Sequence, residues 1–367
     1  MGKDLKFVKR LTFWLLFLVL LVFVLVEARE FLYPLVIALL FSYLLYPIVK
    51  RMENWGVPRI LANIVTIVMT VALFAGLLIL LYKQLSVFLT DFPDLKDKAL
   101  LNIDRLQVMI DQKLGDNNHA NERWLRMQVS NFFDLIGSAI AEVLLATTST
   151  LTKLALIPVY MFLMLYYRNK FEAFILRAVS PYRKEKTKAI IDELSQVTIR
   201  YMGGVVIVIL ILCFINSIGL LLIGVEYAIL LGVISAFINF IPYFGTLIGG
   251  AIPLFYTLIV QGDPQKTLAV LLFFLVVQFT ENNILTPNIT GSRVNINPMF
   301  TILSIIVGGM IWGLPGMFVA VPLLGMFKIY CDFNERMNSY SYLLGTEGTE
   351  EHALTLDKIL HFFRIKK

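Results

Sequence analysis

The chain has 367 residues, of which 58% are hydrophobic and only 16% are charged. Soluble domains average about 45–50% apolar and about 25% charged residues, so this composition excludes an ordinary soluble domain. The net charge is +6, but the basic residues lie mainly in short loops, where they set membrane orientation, and nothing predicts nucleic-acid binding. Cys213 and Cys331 are the only cysteines, so we predict no disulfide framework, no metal site and no cofactor.

Three apolar stretches follow one another at the start of the chain, at about 11–26, 31–49 and 60–82. Each approaches or exceeds the roughly 20 residues that cross a bilayer as a helix, and helices satisfy their own backbone groups in hydrocarbon. Residues 1–28 also have features of a signal peptide, but their apolar run is longer than a usual signal core. We therefore predict that residues 1–82 form three membrane helices, the first of them uncleaved.

The next segment, residues 83–134, carries charges of both signs and has apolar residues at helical spacing, such as Ile103, Leu106 and Ile110. This spacing predicts amphipathic helices, which we call the connector and place outside the membrane. A solvated helical cap is the simplest role for it, and gating or assembly is the alternative. Residues 135–199 then contain a long membrane helix at 135–167 and a strongly basic loop at 168–188.

After a fifth span at 201–225, two long uncharged runs contain helix breakers. Residues 227–262 include Pro242 and Gly245, and residues 294–327 include the sequence Gly313-Leu-Pro-Gly316. A helix does not run smoothly through such positions, so each run predicts a helical hairpin that is either re-entrant or crosses the membrane fully.

A sixth span at 267–292 separates the two hairpins. The predicted fold is therefore all-α and polytopic, with six full spans and two broken hairpins. Broken helices in corresponding positions indicate a transporter binding site, so residues 200–330 are the predicted transport unit.

Basic residues predict the orientation in the membrane. The segments 1–10, 50–59 and 168–188 all fall on one side after six crossings, and the positive-inside rule makes that side cytoplasmic. Both termini are then cytoplasmic. The tail, residues 331–367, ends in a predicted amphipathic helix that would lie on the inner leaflet or bind a partner helix.

Few polar side chains lie within the apolar segments. An ionisable residue in hydrocarbon is costly and marks a candidate functional site, and Glu281 is the strongest candidate. Gln278 and Asn282 would share its helical face, and the cluster would hydrate a polar solute, a proton or Na⁺. In the alternative interpretation, Glu281 lies at a helix end near the headgroups and has no transport role.

Sequence motifs of common membrane enzymes and ATP-driven pumps are absent from the chain. The histidines, His119, His352 and His361, all lie outside the apolar segments, and no HExxH, P-loop or G-x-S-x-G pattern occurs. We therefore predict no enzyme activity and no catalytic residues.

The polar and glycine-rich residues fall into three blocks. These are Asn239–Gly245 with Gly249, Gly250 and Pro253; Glu281–Pro287 with Gly291 and Pro298; and Gly308, Gly309, Gly313, Gly316 and Pro322. In this order and spacing they resemble the AI-2E (autoinducer-2 exporter) family of bacterial membrane proteins. The chain length, the connector and the basic loop extend the resemblance over nearly the whole sequence.

The resemblance implies a transporter of the bacterial cytoplasmic (inner) membrane. It would export a small polar solute, such as the quorum-sensing furanone autoinducer-2, or exchange Na⁺(Li⁺) for H⁺. It would also be a homo-oligomer, a pentamer, in which residues from about 200 onward move like an elevator against a scaffold of early helices. Besides other copies, the expected partners are the lipid bilayer and a small polar solute or ion.

Two groups of residues carry these expectations. The predicted transport residues are Asn216, Asn239, Pro242, Tyr243, Gly245, Gln278, Glu281, Asn282, Asn283 and Pro287. The predicted hinge or packing residues, some of them at GxxxG spacing that lets helices approach closely, are Gly249, Gly250, Gly309, Gly313, Pro315 and Gly316. A non-transporting scaffold or regulator, built on the connector and the tail, is the remaining alternative.

Overall fold

The computed structural model describes residues 2–114, 119–144, 148–242, 244–289 and 296–348. Within these ranges every regular element is a helix. The predicted Tyr243 and the amphipathic helix at the end of the tail lie outside the described residues. Six helices in the described part of the chain are long and apolar enough to cross a membrane, which confirms the all-α, multi-pass fold.

The helices follow one another with short connections. The first six are α1 (Gly2–Glu27), α2 (Arg29–Asn54), α3 (Arg59–Leu114), α4 (His119–Leu144), α5 (Thr148–Ala178) and α6 (Lys184–Ile223). The remainder are α7 (Ala228–Ile238), α8 (Phe244–Phe255), α9 (Pro264–Thr280), α10 (Thr286–Ile289), α11 (Pro298–Trp312), α12 (Leu314–Asp332) and α13 (Asn338–Leu344). Two π-helical turns, Tyr256–Val260 and Glu281–Leu285, continue α8 and α9.

One helix crosses a predicted boundary in the first half of the chain. The helix α3 runs through the predicted boundary at residue 82 and has 56 residues, so it is about 84 Å long at 1.5 Å per residue. The onset of charge at Lys83 changes the preferred solvent but does not end a helix. The predicted span at 135–167 is described as helix up to Leu144 in α4 and from Thr148 in α5, and residues 145–147 lie outside the described residues.

The helix α3 contributes to two separate hydrophobic cores. Its first turns pack with α2 and α5 around Ala62 and Leu165, which are 0% and 2% exposed. Its later turns pack with α4 and α8 around Ala99 and Phe133. Between them, nearly all side chains of residues 71–80 are exposed, so one long helix connects two cores through a segment with little packing.

Both predicted hairpins are present as pairs of helices that fold back on each other. Hairpin 1 comprises α7, α8 and the following π-helical turn, and hairpin 2 comprises α11 and α12. The turn of hairpin 2 is Gly313, with φ +63° and ψ −142°, a backbone conformation that requires glycine. Among the described helices, α12 is long enough to cross a membrane by itself, whereas α7 and α11 are shorter than a full span.

The chain divides into two compact units. The first comprises Met1–Lys170 and Ile199–Gly291, and the second comprises Phe171–Thr198 and Ser292–Lys367. Hairpin 1 therefore belongs to the first unit and hairpin 2 to the second. The residues that carry the candidate site below all belong to the first unit.

Candidate functional site

The break in hairpin 1 lies between α7 and α8. The helix α7 ends at Ile238, and Asn239 forms its C-cap. The backbone then turns through Pro242, and α8 begins beside the end of α7. A Cβ atom on Gly245 would collide with the Ile238 carbonyl, so only glycine permits this close return.

The carboxylate of Glu281 lies where α9 changes into a π-helical turn. Such turns often occur at functional sites, because the wider turn disturbs the regular hydrogen-bond ladder. Glu281 is only 8% exposed. Among the described residues it is the one charged residue that is buried. Burying a carboxylate costs free energy unless it accepts hydrogen bonds. The residue that donates to Glu281 therefore shows which part of the fold stabilises this buried charge.

That partner is Asn239. The Asn239 Nδ2 atom donates a hydrogen bond to Glu281 Oε1 over 2.6 Å, although the two residues are 42 positions apart in sequence. The Asn239 Oδ1 atom is buried and has no hydrogen-bond partner among the described residues. The structure thus joins the hairpin break to the buried carboxylate and leaves one amide oxygen available as an acceptor.

A second buried amide lies on α6. Asn216 is 3% exposed, and its Oδ1 atom has no hydrogen-bond partner among the described residues. The next residue, Ser217, packs against α7 so closely that a Cβ atom on Gly232 would lie 2.5 Å from the Ser217 nitrogen. Buried acceptors without partners call for a water molecule or a ligand.

The predicted polar neighbours of Glu281 are less buried than Glu281 itself. Asn282 and Asn283 are exposed, and Asn283 Nδ2 donates to the Phe279 carbonyl of its own helix over 2.8 Å. Gln278 and Pro242 are half-buried and Pro287 is exposed.

The predicted hinge glycines fall into different classes. Gly249 is a close packing position, because a Cβ atom there would lie 2.7 Å from the Ser235 carbonyl oxygen, whereas Gly250 only faces the ring of Phe274. Ser235 Oγ also donates to the Gly249 carbonyl over 2.5 Å. Sequence reasoning missed Ser235, since a serine inside an apolar helix gives no specific signal.

Hairpin 2 has its own packing residues. Gly316 lies against the Gly308 carbonyl, and Gly308 against the Gly316 carbonyl, so both must lack a side chain. Gly309 faces only the flexible side chain of Met317, and Gly313 is the turn itself. Pro315 is half-buried in the first turn of α12. The predicted packing residues thus lie in the segment where the two helices meet, but the structure places the close backbone contact at Gly308 and not at Gly309.

The connector holds one end of hairpin 1 through polar contacts that sequence reasoning missed. Asn102 Nδ2 donates to the carbonyls of Ile259 and Val260, over 3.1 and 2.8 Å. Tyr227, the N-cap residue of α7, donates a hydrogen bond from its Oη atom to the Asp91 carboxylate of α3. No single-sequence pattern pairs residues that are more than 100 positions apart.

The sequence as a whole matches the model of a known family. The model described as "AI-2E family transporter" matches residues 11–335. The chain belongs to the AI-2E transporter family. This family member is 27% identical to YrrI of Bacillus subtilis (strain 168) over 81% of its own length and 84% of that protein.

Other relatives cover the chain to a similar extent. The AI-2 transport protein TqsA of Escherichia coli (strain K12) is 24% identical over 88% of this chain and 92% of its own length. YhhT of the same strain is 27% identical over 87% of this chain and 89% of its own length.

Family membership decides the broad function. This AI-2E family member is a multi-pass inner-membrane transport protein and not an enzyme. A purely structural scaffold is therefore no longer needed to explain its membrane fold.

Proposed function

We propose that this transporter exports a small polar solute that binds beside Asn239 and Glu281. The observation that carries the proposal is the 2.6 Å hydrogen bond between them, because it places a buried carboxylate at the break of a membrane hairpin. Broken helices next to buried polar groups are the usual setting of transporter binding sites.

The hydrogen-bonding groups of this site indicate the chemical class of the solute. Asn239 Oδ1 is a buried acceptor without a partner among the described residues, and Glu281 Oε2 adds an acceptor beside the bonded Oε1 atom. Asn216 Oδ1 is a further unpartnered acceptor among the described residues, on α6, which packs against α7. A solute that offers several hydroxyl donors would satisfy such a set. Autoinducer-2 (AI-2), for which the relative TqsA is named, is a hydroxylated compound and is our first choice.

We also propose that transport involves an elevator-like movement. Residues 71–80 of α3 have little packing between the two cores, so α3 would bend in this segment. Hairpin 1 is bonded to α3 beyond this segment, through Asn102. The connector would then move together with hairpin 1. In this proposal both termini lie in the cytoplasm and the protein forms a homo-pentamer.

Efflux from proteoliposomes loaded with autoinducer-2 and a small panel of other polar solutes tests the proposed site. We expect Asn239→Ala and Glu281→Gln to lower efflux at least about tenfold. Asn239→Ala removes a hydrogen bond to a buried charged group, worth roughly 1.5–3 kcal/mol, and Glu281→Gln keeps an acceptor for Asn239 but removes the charge. Asn283→Ala is the matched control, because Asn283 is exposed in the same segment. Unchanged efflux in both site variants, with normal insertion, would refute the site.

A second candidate function is exchange of Na⁺ or Li⁺ for H⁺. It is favoured by Glu281 being the one buried charged residue in the described part of the chain, because a buried carboxylate can carry a proton. A Na⁺-dependent pH change in vesicles that Glu281→Gln abolishes would support exchange. Solute efflux that needs no cation gradient would support the first candidate.

A further inference from the structure

An apolar cavity of about 600 Å³ lies between the connector and the end of hairpin 1. Its walls come from α3, α4 and α8 with its π-helical turn, all within the first compact unit. The lining residues that matter here are Trp124, Leu125, Phe132, Leu135, Phe255 and Ile259. Cavities that bind small ligands are typically about 300–1,000 Å³ and mostly apolar, so this one is large enough to hold a ligand.

The mouth of the cavity is formed by apolar side chains that are themselves exposed. Trp124 is 59% exposed and Leu135 is 67% exposed. Large apolar surfaces of this kind mark interaction sites when they face water, but they are favourable where they face hydrocarbon. The connector is predicted to lie outside the membrane, but the cavity lies where the connector meets the end of the membrane hairpin 1. Its apolar mouth therefore suits the hydrocarbon at the edge of the bilayer.

Two ion pairs involve residues that are sequence neighbours of the cavity lining. Arg126 is paired with Asp104, next to Leu125 and Ile103 of the lining. Lys96 Nζ lies 2.7 Å from Asp134, the neighbour of Leu135. A tryptophan beside charges of both signs is typical of the boundary between hydrocarbon and headgroups.

We propose that this cavity binds an acyl chain of a membrane phospholipid, with the headgroup beside the Arg126–Asp104 and Lys96–Asp134 pairs. The cavity offers the chain aromatic and aliphatic walls, and the pairs offer both charges to a zwitterionic headgroup. Phe255 and Ile259 belong to hairpin 1, whereas Trp124 and Leu125 belong to the connector. The bound acyl chain would therefore pack between hairpin 1 and the connector. This inference does not depend on which solute is transported.

Trp124 is a natural reporter for the proposed lipid. The chain has four tryptophans, and replacing Trp14, Trp55 and Trp312 with phenylalanine leaves Trp124 alone. The purified single-tryptophan protein is titrated in detergent with phosphatidylcholine that carries bromine on its acyl chain, because bromine quenches tryptophan fluorescence on contact. We expect saturable quenching that unbrominated phosphatidylcholine reverses by competition.

Two variants separate the cavity from ordinary contact with lipid. Leu125→Glu places a charge at the mouth and is expected to weaken the saturable quenching about tenfold, or ~1.4 kcal/mol. Met127→Glu is the matched control, since Met127 is 60% exposed on the same helix and does not line the cavity. Gln128→Phe, which fills the cavity with a neutral side chain, is expected to weaken quenching as well.

Three results would overturn the proposal. Quenching that rises in proportion to lipid content and is equal in all variants would mean that Trp124 only faces bulk lipid. Absence of quenching by the phospholipid would mean that no acyl chain enters. Quenching by brominated free fatty acid without quenching by the phospholipid would assign the cavity to a different amphiphile.

Discussion

Replacing Asn102 with leucine removes the contact that ties the connector to hairpin 1 while keeping the side-chain volume similar. The carbonyls of Ile259 and Val260 belong to the last turn of hairpin 1 and lack partners within the helix. Asn102 Nδ2 supplies both partners. Each bond contributes about 1 kcal/mol net, and a buried carbonyl left without a partner costs about 1–3 kcal/mol.

The two bonds together contribute about 2 kcal/mol net, so Asn102→Leu is expected to cost at least about 2 kcal/mol, which corresponds to a roughly 30-fold or larger increase in local opening. Hydrogen exchange measured by mass spectrometry on peptides covering residues 255–262 reports this opening directly, because exchange rates follow the local opening free energy. We expect exchange of these peptides to accelerate by that factor, whereas peptides from α2 and α5 should be unaffected.

Lys98→Leu is the matched control for this measurement. Lys98 lies one turn before Asn102 on α3, but its side chain is exposed and does not line the cavity, so its replacement should leave exchange at residues 255–262 unchanged. If Asn102→Leu changes these rates less than threefold, or if both variants change them equally, the bonds to hairpin 1 do not hold the connector and the reasoning is refuted.

Three further substitutions predict losses of thermal stability in detergent. Gly308→Ala would place a Cβ atom 2.5 Å from the Gly316 carbonyl oxygen and should destabilise hairpin 2 by about 1–3 kcal/mol. Gly313→Ala forces a side chain to adopt φ +63° and ψ −142° and should cost about 1–2 kcal/mol. Arg168→Ala removes a 2.5 Å ion pair from Glu53, whose side chain is 14% exposed, and should cost about 1–3 kcal/mol.

Gly309→Ala is the control for the two hairpin substitutions. Its Cβ atom would meet no backbone atom, only the flexible Met317 side chain, nearest at the terminal methyl group, so the melting temperature of this variant should stay near the wild-type value. If Gly308→Ala and Gly309→Ala melt together, close backbone packing does not stabilise hairpin 2. An unchanged melting temperature for Arg168→Ala would mean that Arg59, whose Nε atom lies 3.4 Å from Glu53, compensates for the loss.

The sequence by itself determined the membrane fold and the two breaks. Long uncharged runs require helices in hydrocarbon, and Pro242, Gly245 and Gly313 interrupt them wherever they occur. It also identified Glu281, because a carboxylate inside an apolar segment is costly in any arrangement. Both kinds of inference use local properties, namely hydrophobicity, backbone conformation and charge, that a single sequence contains.

Only the tertiary structure decided which residues meet. The hydrogen bond from Asn239 to Glu281 joins positions 42 apart, and Asn102 reaches Ile259 across 157 positions. The continuous α3 helix also escaped prediction, since a change of charge at Lys83 reports the surrounding solvent and not the end of a helix. Hydrogen-bond partners, helix lengths and the spacing at π-helical turns depend on packing between segments that are distant in sequence. A local sequence pattern does not predict such packing.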